Sequence, residues 1–354
     1  MSVTQDLLHV TKYEVLGKLP DLMTFEDGTP VRTPADWQRR RAELYKTAVE
    51  LQYGTMPPAP EFLEVETLFI GAKNHSYRIY TGTRERPVSF LMKLVLPGGG
   101  HQAPYPAIVD GDMCFPYHMD KAYLSAATDE GVAWVFFDRT ELAHDIQGEG
   151  RRKGQLYDTY SDYTFGALGA WAWGYSRCVD ALEILCAGKE NPLIDLSLIA
   201  FSGHSRGGKT AALAGATDER AAVVNPNATC AGACGCYRIH IEGYCEGIPP
   251  FRSETLADLW RNFSFWMGPE MGNYADREDE LPFDAHFLKA MIAPRVLFVS
   301  EAAGDLWSNP VGSWMTTMAA VSAAWARPFS VKGASVAPQT LWRAFHSDCP
   351  WRTM

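Results

Sequence analysis

The run Gly203-His204-Ser205-Arg206-Gly207-Gly208-Lys209 sets a serine between two glycines in the spacing G-x-S-x-G. An apolar stretch of strand character, Leu196 to Phe201, leads into it, and a small-residue stretch of helical character, Thr210 to Gly215, follows. Strand, sharp turn, helix is the context in which such a serine is presented as a nucleophile at the C-terminal edge of a parallel sheet. The glycines have a mechanical reason to be there, because a turn this tight brings neighbouring backbones together and leaves no room for a side chain. Taken alone, the motif can also be read as a Ser/Gly-rich turn between strand and helix; the flanking elements strengthen the reading of a reactive Ser205. The amide of Arg206 would then face a developing oxyanion, and the turn Asp110-Gly111-Asp112-Met113 would offer a second N–H.

A serine hydroxyl is too weak an acid to attack an ester unaided. It needs an imidazole base, and the imidazole needs a carboxylate to hold its tautomer. In the chain order serine, acid, histidine, Asp305 follows a strand-like run (Pro294 to Ser300) and is the expected acid, with Glu301 as fallback. Beyond Asp305 the only histidine is His346, which order alone selects as the base. His204 lies inside the turn and should point under the sheet, and His286 precedes the acid.

Cys230, Cys234, Cys236 and His240 cluster as C-x3-C-x-C-x3-H, which matches no structural zinc spacing, so reduced, partly buried thiols are expected there rather than a metal site. The formal charge of −10 argues against nucleic acid or an anionic membrane as partner. With 47% hydrophobic residues among 354, the chain can bury a sizeable core. No basic segment followed by a long apolar run opens it, and nowhere do about 18 apolar residues run together, so a soluble, cytoplasmic protein is expected. Eleven tryptophans and fifteen tyrosines suit a sugar-facing surface, although core packing accounts for most of them.

These groups need a scaffold. Residues 1–60 read as an irregular N-terminal wrap holding one helix, from the cap Thr33 or Asp36 with Pro34 in its first turn to a stop at Gly54. Strand-like segments follow near 62–70, 75–82 and 87–97. From Pro104 strands alternate with helices: strands at Ala107–Val109 and Val132–Phe137, a polar loop from Gln147 to Gln155, a helix near 163–187, the serine unit at 196–216 and a strand at Ala221–Val224. That alternation implies β-α-β units and an α/β-hydrolase fold: a mostly parallel central sheet flanked by helices on both faces, occupying residues 61–354. Residues 226–284 show little periodicity and are expected to form a cap-like insertion over the site.

Several blocks resemble the glucuronoyl esterases, carbohydrate esterase family fifteen. They are Gly203 to Lys209, Asp158 to Asp162 with Gly166 to Gly174, Gly215 to Arg220, Glu280 to Ala290 running on to Ala293-Pro294-Arg295, and Asp305 to Pro310. The resemblance implies hydrolysis of an ester between a glucuronic acid carboxyl and an alcohol, through a seryl acyl-enzyme and without a cofactor. It implies that Arg206 steadies the oxyanion, that Lys209 and Trp307 bond sugar hydroxyls, and that Glu242 is a loosely aligned sugar-binding carboxylate. Two departures stand out. Asn225 to Cys230 holds no carboxylate where some members carry the triad acid, and the stretch beyond about 326 lacks the family's Gly-rich approach to the histidine. The rival expectations are an acetyl or general carboxylesterase and a carbohydrate-binding relative without a working histidine.

Overall fold

The computed structural model describes residues 9–149, 152–190, 192–245 and 248–325. His346 lies outside them. The chain opens with strand β1 (His9–Val15). Helix α1 (Pro34–Leu44) follows, with Thr33 and Asp36 completing a reciprocal capping box and Pro34 in the first turn. It runs on through a π-helical stretch, Tyr45–Glu50, to Leu51–Tyr53 and stops at Gly54 (φ 84°). The inward face of this helical run, Trp37, Leu44, Val49 and Tyr53, is buried in the same core as the sheet.

Three antiparallel strands come next, β2 (Phe62–Ile70), β3 (Asn74–Gly82) and β4 (Pro87–Val95), close to the expected positions. In β3 and β4 buried and less buried residues alternate, the period of a strand that faces a core on one side. The rhythm then changes to β5 (Tyr105–Asp110), helix α2 (Lys121–Thr128), β6 (Ala133–Phe137), helix α3 (Ala167–Cys186), β7 (Ile194–His204), helix α4 (Arg206–Thr217) and β8 (Ala221–Asn227). All five residues of β6 are buried, as befits a strand covered on both faces. After β8 come β9 (Ile239–Cys245), β10 (Ile248–Arg252), helix α5 (Leu256–Phe263), helix α6 (Ala285–Ala290), β11 (Val296–Leu297) and helix α7 (Pro310–Ala320).

The main sheet has the order β11-β8-β7-β5-β6-β4-β3-β2. Strands β11, β8, β7, β5 and β6 run parallel and β4, β3 and β2 antiparallel, which is the α/β-hydrolase arrangement expected from the sequence. The chain leaves β5 to one side for β6 and returns on its other side as β7. The carboxyl ends of β5 and β7 therefore flank a switch point, where open α/β sheets place their ligands.

Two regions differ from expectation. The N-terminal wrap contributes β1, which pairs with β9 in a separate three-stranded sheet, β1-β9-β10. Every residue of β1 faces solvent, so it carries no hydrophobic period that would betray a strand. The segment expected as a cap does not ride on the surface throughout. Residues 228–239 are buried without exception, and their small side chains (Ala228, Ala231, Gly232, Ala233, Gly235) let backbone pack close where large residues would need room.

Candidate active site

The turn between β7 and α4 is set by contacts a side chain would break. A Cβ on Gly203 would lie 2.4 Å from the Gly207 carbonyl oxygen, and one on Gly207 would lie 2.2 Å from Asp112 Oδ2. The cost falls on Ser205, which takes φ 55°, ψ −117°, a backbone conformation that non-glycine residues rarely hold unless the surroundings enforce it. Its N–H donates to the Asn227 carbonyl (2.9 Å) and its carbonyl accepts from Lys209 N–H (2.9 Å). The side chain sits half-buried at the carboxyl edge of the sheet, on the first turn of α4.

Arg206 comes next in the chain. Its guanidinium donates to Asp145 Oδ2 (3.0 Å) and lies 4.8 Å from the ring centre of Trp266 and 5.4 Å from that of Phe263. Asp145 also accepts from Trp266 Nε1 (3.0 Å) and from Arg139 Nη2 (3.4 Å). Arg139, wholly buried, forms an ion pair with Asp112 beneath the turn. Asp112 in turn accepts from Tyr117 OH (2.5 Å) and the His204 N–H (3.3 Å). Asp110 accepts from Tyr123 OH (2.8 Å), and burial, against the pull of that hydrogen bond and Arg139, raises its carboxyl from 3.8 to about 6.

The second oxyanion N–H expected from Asp110 to Met113 is not available there. Gly111 N–H donates to Tyr175 OH (3.1 Å), Asp112 N–H to Asp110 Oδ1 (2.7 Å) and Met113 N–H to the Phe137 carbonyl (3.2 Å). Of the expected donors this leaves the first-turn amide of α4, with Arg206 as the cation carried on that same turn. His204 does not point under the sheet: it is exposed and its Nδ1 meets Asn227 Oδ1 at 2.5 Å. His286, on α6, is buried with Nε2 on the Pro20 carbonyl (2.9 Å).

The two candidate acids follow β11. Asn227 at the end of β8 donates to Ser300 and bridges to it in parallel register, so Ser205, Asn227 and Ser300 form one row across three strand ends. Glu301 and Asp305 leave from that row. Asp305 caps the short helix Leu306–Ser308, accepting from Ser308 OH at 2.5 Å and from its N–H at 3.4 Å. Glu301 accepts from Ser313 OH (3.1 Å); burial raises its carboxyl to about 7, although the Lys289 charge opposes this.

Lys209 is 2% exposed, and its ammonium donates to the Thr229 and Ala231 carbonyls and to Glu254 Oε2 (3.1 Å). Its three N–H groups are thereby used within the protein, which makes it a clamp on residues 229–231 and leaves none for a sugar in this arrangement. Glu254, which sequence reasoning passed over, is its buried counter-ion; burial raises this carboxyl more than Lys209 lowers it. Trp307 is half-buried against Phe251, 5.5 Å between ring centres, and its indole N–H has no hydrogen-bond partner among the described residues. Glu242, on β9, is about half exposed and pairs with Lys12 (3.3 Å) in the small sheet.

The cysteine cluster separates in three dimensions: Cys230 Sγ meets Ser308 Oγ (3.5 Å), Cys236 Sγ meets Asp284 Oδ2 (3.5 Å), and His240 Nε2 meets the Tyr237 carbonyl (3.1 Å). Burial pushes the Cys230 thiol up to about 12. Among the described residues no three His, Cys, Asp or Glu side chains are grouped to hold a metal ion, and no helix is long and apolar enough to cross a membrane. Asp145, Arg139 and Asp112 were also missed as a group. The signal that could have found them is position, since all lie just past the carboxyl ends of β5 and β6.

Comparison with known proteins places this architecture. Residues 79–327 match the fungal glucuronyl esterase family. The chain is 32% identical over 302 residues to the 4-O-methyl-glucuronoyl methylesterase of Podospora anserina, covering 85% of this chain and 58% of that protein, so it spans little more than half the length of that relative. It superposes on the glucuronoyl esterase catalytic domain of Hypocrea jecorina with a TM-score of 0.73 at 28% identity, covering 94% of this chain and 88% of that one. A serine-to-alanine variant of the glucuronoyl esterase of Sporotrichum thermophile, in complex with methyl 4-O-methyl-β-D-glucopyranuronate, gives 0.69 at 27% identity over 87% of this chain and 78% of that one. With the family matched over residues 79–327 and the fold superposing on solved glucuronoyl esterases, this chain belongs to the glucuronoyl esterase family.

Proposed function

We propose that the chain is a serine carboxylic-ester hydrolase that cleaves 4-O-methyl-glucuronoyl esters of carbohydrate fragments. The observation that carries this reading is Ser205 held at φ 55° on a strand-to-helix turn, with Arg206 next to it in the chain and its guanidinium held by Asp145, in a chain of this family. Ser205 Oγ attacks the ester carbonyl carbon while the imidazole of His346 takes its proton, with Asp305 holding that ring. The carbonyl oxygen becomes an oxyanion facing the α4 amide and the Arg206 cation. A guanidinium keeps its charge at any working pH and is the suitable partner for it. The tetrahedral centre collapses, the alcohol leaves with the proton from the imidazolium, and a seryl ester of the uronate remains. Water, deprotonated by the same imidazole, attacks that ester, releases the uronic acid and restores Ser205. Trp307 offers a sugar hydroxyl acceptor its indole N–H, which has no partner among the described residues, and Glu242 is the carboxylate proposed further out.

The deciding experiment compares a benzyl glucuronate ester with nitrophenyl acetate. The proposal expects the uronate ester to have the higher kcat/KM and expects His346→Ala to lower it by about 10⁴-fold. Cleavage of the acetate alone makes the protein a general carboxylesterase. Binding of the uronate without turnover makes it a binding protein, and full activity in His346→Ala places the base elsewhere.

A further inference from the structure

We infer that Asp145 is a positioning residue for the oxyanion arginine: together with Trp266 it clamps the guanidinium of Arg206, the residue next to Ser205 on the first turn of α4, and Arg139 ties that clamp to Asp112 at the nucleophile turn. The inference rests on the role given to Arg206 above. A long, flexible side chain at the first position of a helix has no intrinsic reason to stay in one place, and an oxyanion stabiliser works only if its donors are fixed before the charge develops.

Three contacts fix it. The guanidinium plane rests on the Trp266 ring (4.8 Å) with Phe263 beyond, and those two rings are stacked on each other at 4.0 Å. Asp145 Oδ2 takes the Arg206 Nη1 hydrogen bond, while Oδ1 takes the Trp266 Nε1–H, so one carboxylate aligns both the cation and the ring it lies on. The Asp145 side chain is only 7% exposed, and an ionised carboxylate so placed needs compensating charge. Arg139 supplies it from below at 3.4 Å, and Arg139 also pairs with Asp112, the carboxylate that closes against Gly207 and accepts the His204 N–H. Asp112, Arg139, Asp145 and Arg206 thus alternate in sign from beneath the turn to its open side. Arg206 remains 30% exposed, so its other N–H donors can reach a ligand.

The test uses Asp145→Asn, which keeps shape and removes charge, with Arg206→Ala and the double variant. On the uronate ester, Asp145→Asn should lower kcat by about 10²-fold with KM within about 2-fold, and it should add less than about 3-fold in the Arg206→Ala background. Multiplicative losses in the double variant would overturn the inference. A second readout does not need turnover: the side-chain Nε–H signal of Arg206 in nitrogen-15 NMR, assigned by its loss in Arg206→Ala. Slow rotation in the parent and fast averaging in Asp145→Asn support the clamp; an unchanged signal refutes it. If the parent cleaves no glucuronate ester, the functional proposal falls and this arm still decides the placement. Trp266→Phe, which keeps the ring and drops its N–H, serves if Asp145→Asn does not fold, with the same coupling to Arg206 expected.

Discussion

At the level of single residues, Ser205 should dominate: Ser205→Ala is expected to lower kcat on the uronate ester by about 10⁴-fold or more while the thermal midpoint holds or rises, because the strained backbone loses nothing it needs for folding. Steady-state kinetics with a melting curve on the same sample checks both halves. Asp110 offers a pH signature. Its carboxyl is raised from 3.8 to about 6, so the folded protein prefers it neutral. That contribution is fully present below the unfolded value and is lost as pH rises through about 6. Asp110→Asn stays neutral throughout, so its midpoint should gain on the parent between pH 4 and 7; parallel curves would refute this reading. Ser205 and Arg206 were legible in the sequence because a short motif between a strand and a helix carries its own geometry. Asp145 was not, because its partners lie at Arg139, Arg206 and Trp266, and one loop carboxylate looks like any other until those segments meet.

For elements, the sharpest expectation concerns the turn. Gly203→Ala brings a methyl group against the Gly207 backbone at 2.4 Å, which neither β7 nor α4 can relieve without moving the other. It should cost about 3 kcal/mol in urea unfolding and remove activity in whatever folds. Thr33→Ala, which breaks the capping box of α1, should cost about 1 kcal/mol. Long periodic elements were readable: α3, the strands β2 to β4 and the β7–α4 unit fall within a few residues of their expected limits. Strand β1 was not, since solvent covers all of it and its pairing with β9 is a long-range event. The buried run 228–239 was read as cap because Ala, Gly and Cys give no periodic signal even when they pack deep in a core.

Across the whole molecule, the Lys209–Glu254 pair joins the helix behind the nucleophile to the short connection between β10 and α5, with both side chains below 5% exposure. Removing one partner strands a buried charge, so Lys209→Met should cost about 3–5 kcal/mol, and replacing both with Met and Leu should recover much of that loss. Chemical denaturation of the two singles and the double measures it. The exposed Lys12–Glu242 pair, by contrast, should be worth less than about 1 kcal/mol.

Ser205 and Lys209 stand one helical turn apart on α4, and Lys209 grips the carbonyls of Thr229 and Ala231. The Ser205 hydroxyl and the buried backbone of 229–231 are therefore geared to a single shaft. Anyone grafting a foreign 228–236 segment would have to carry over those two backbone acceptors, or the regraft would loosen the helix that presents Ser205.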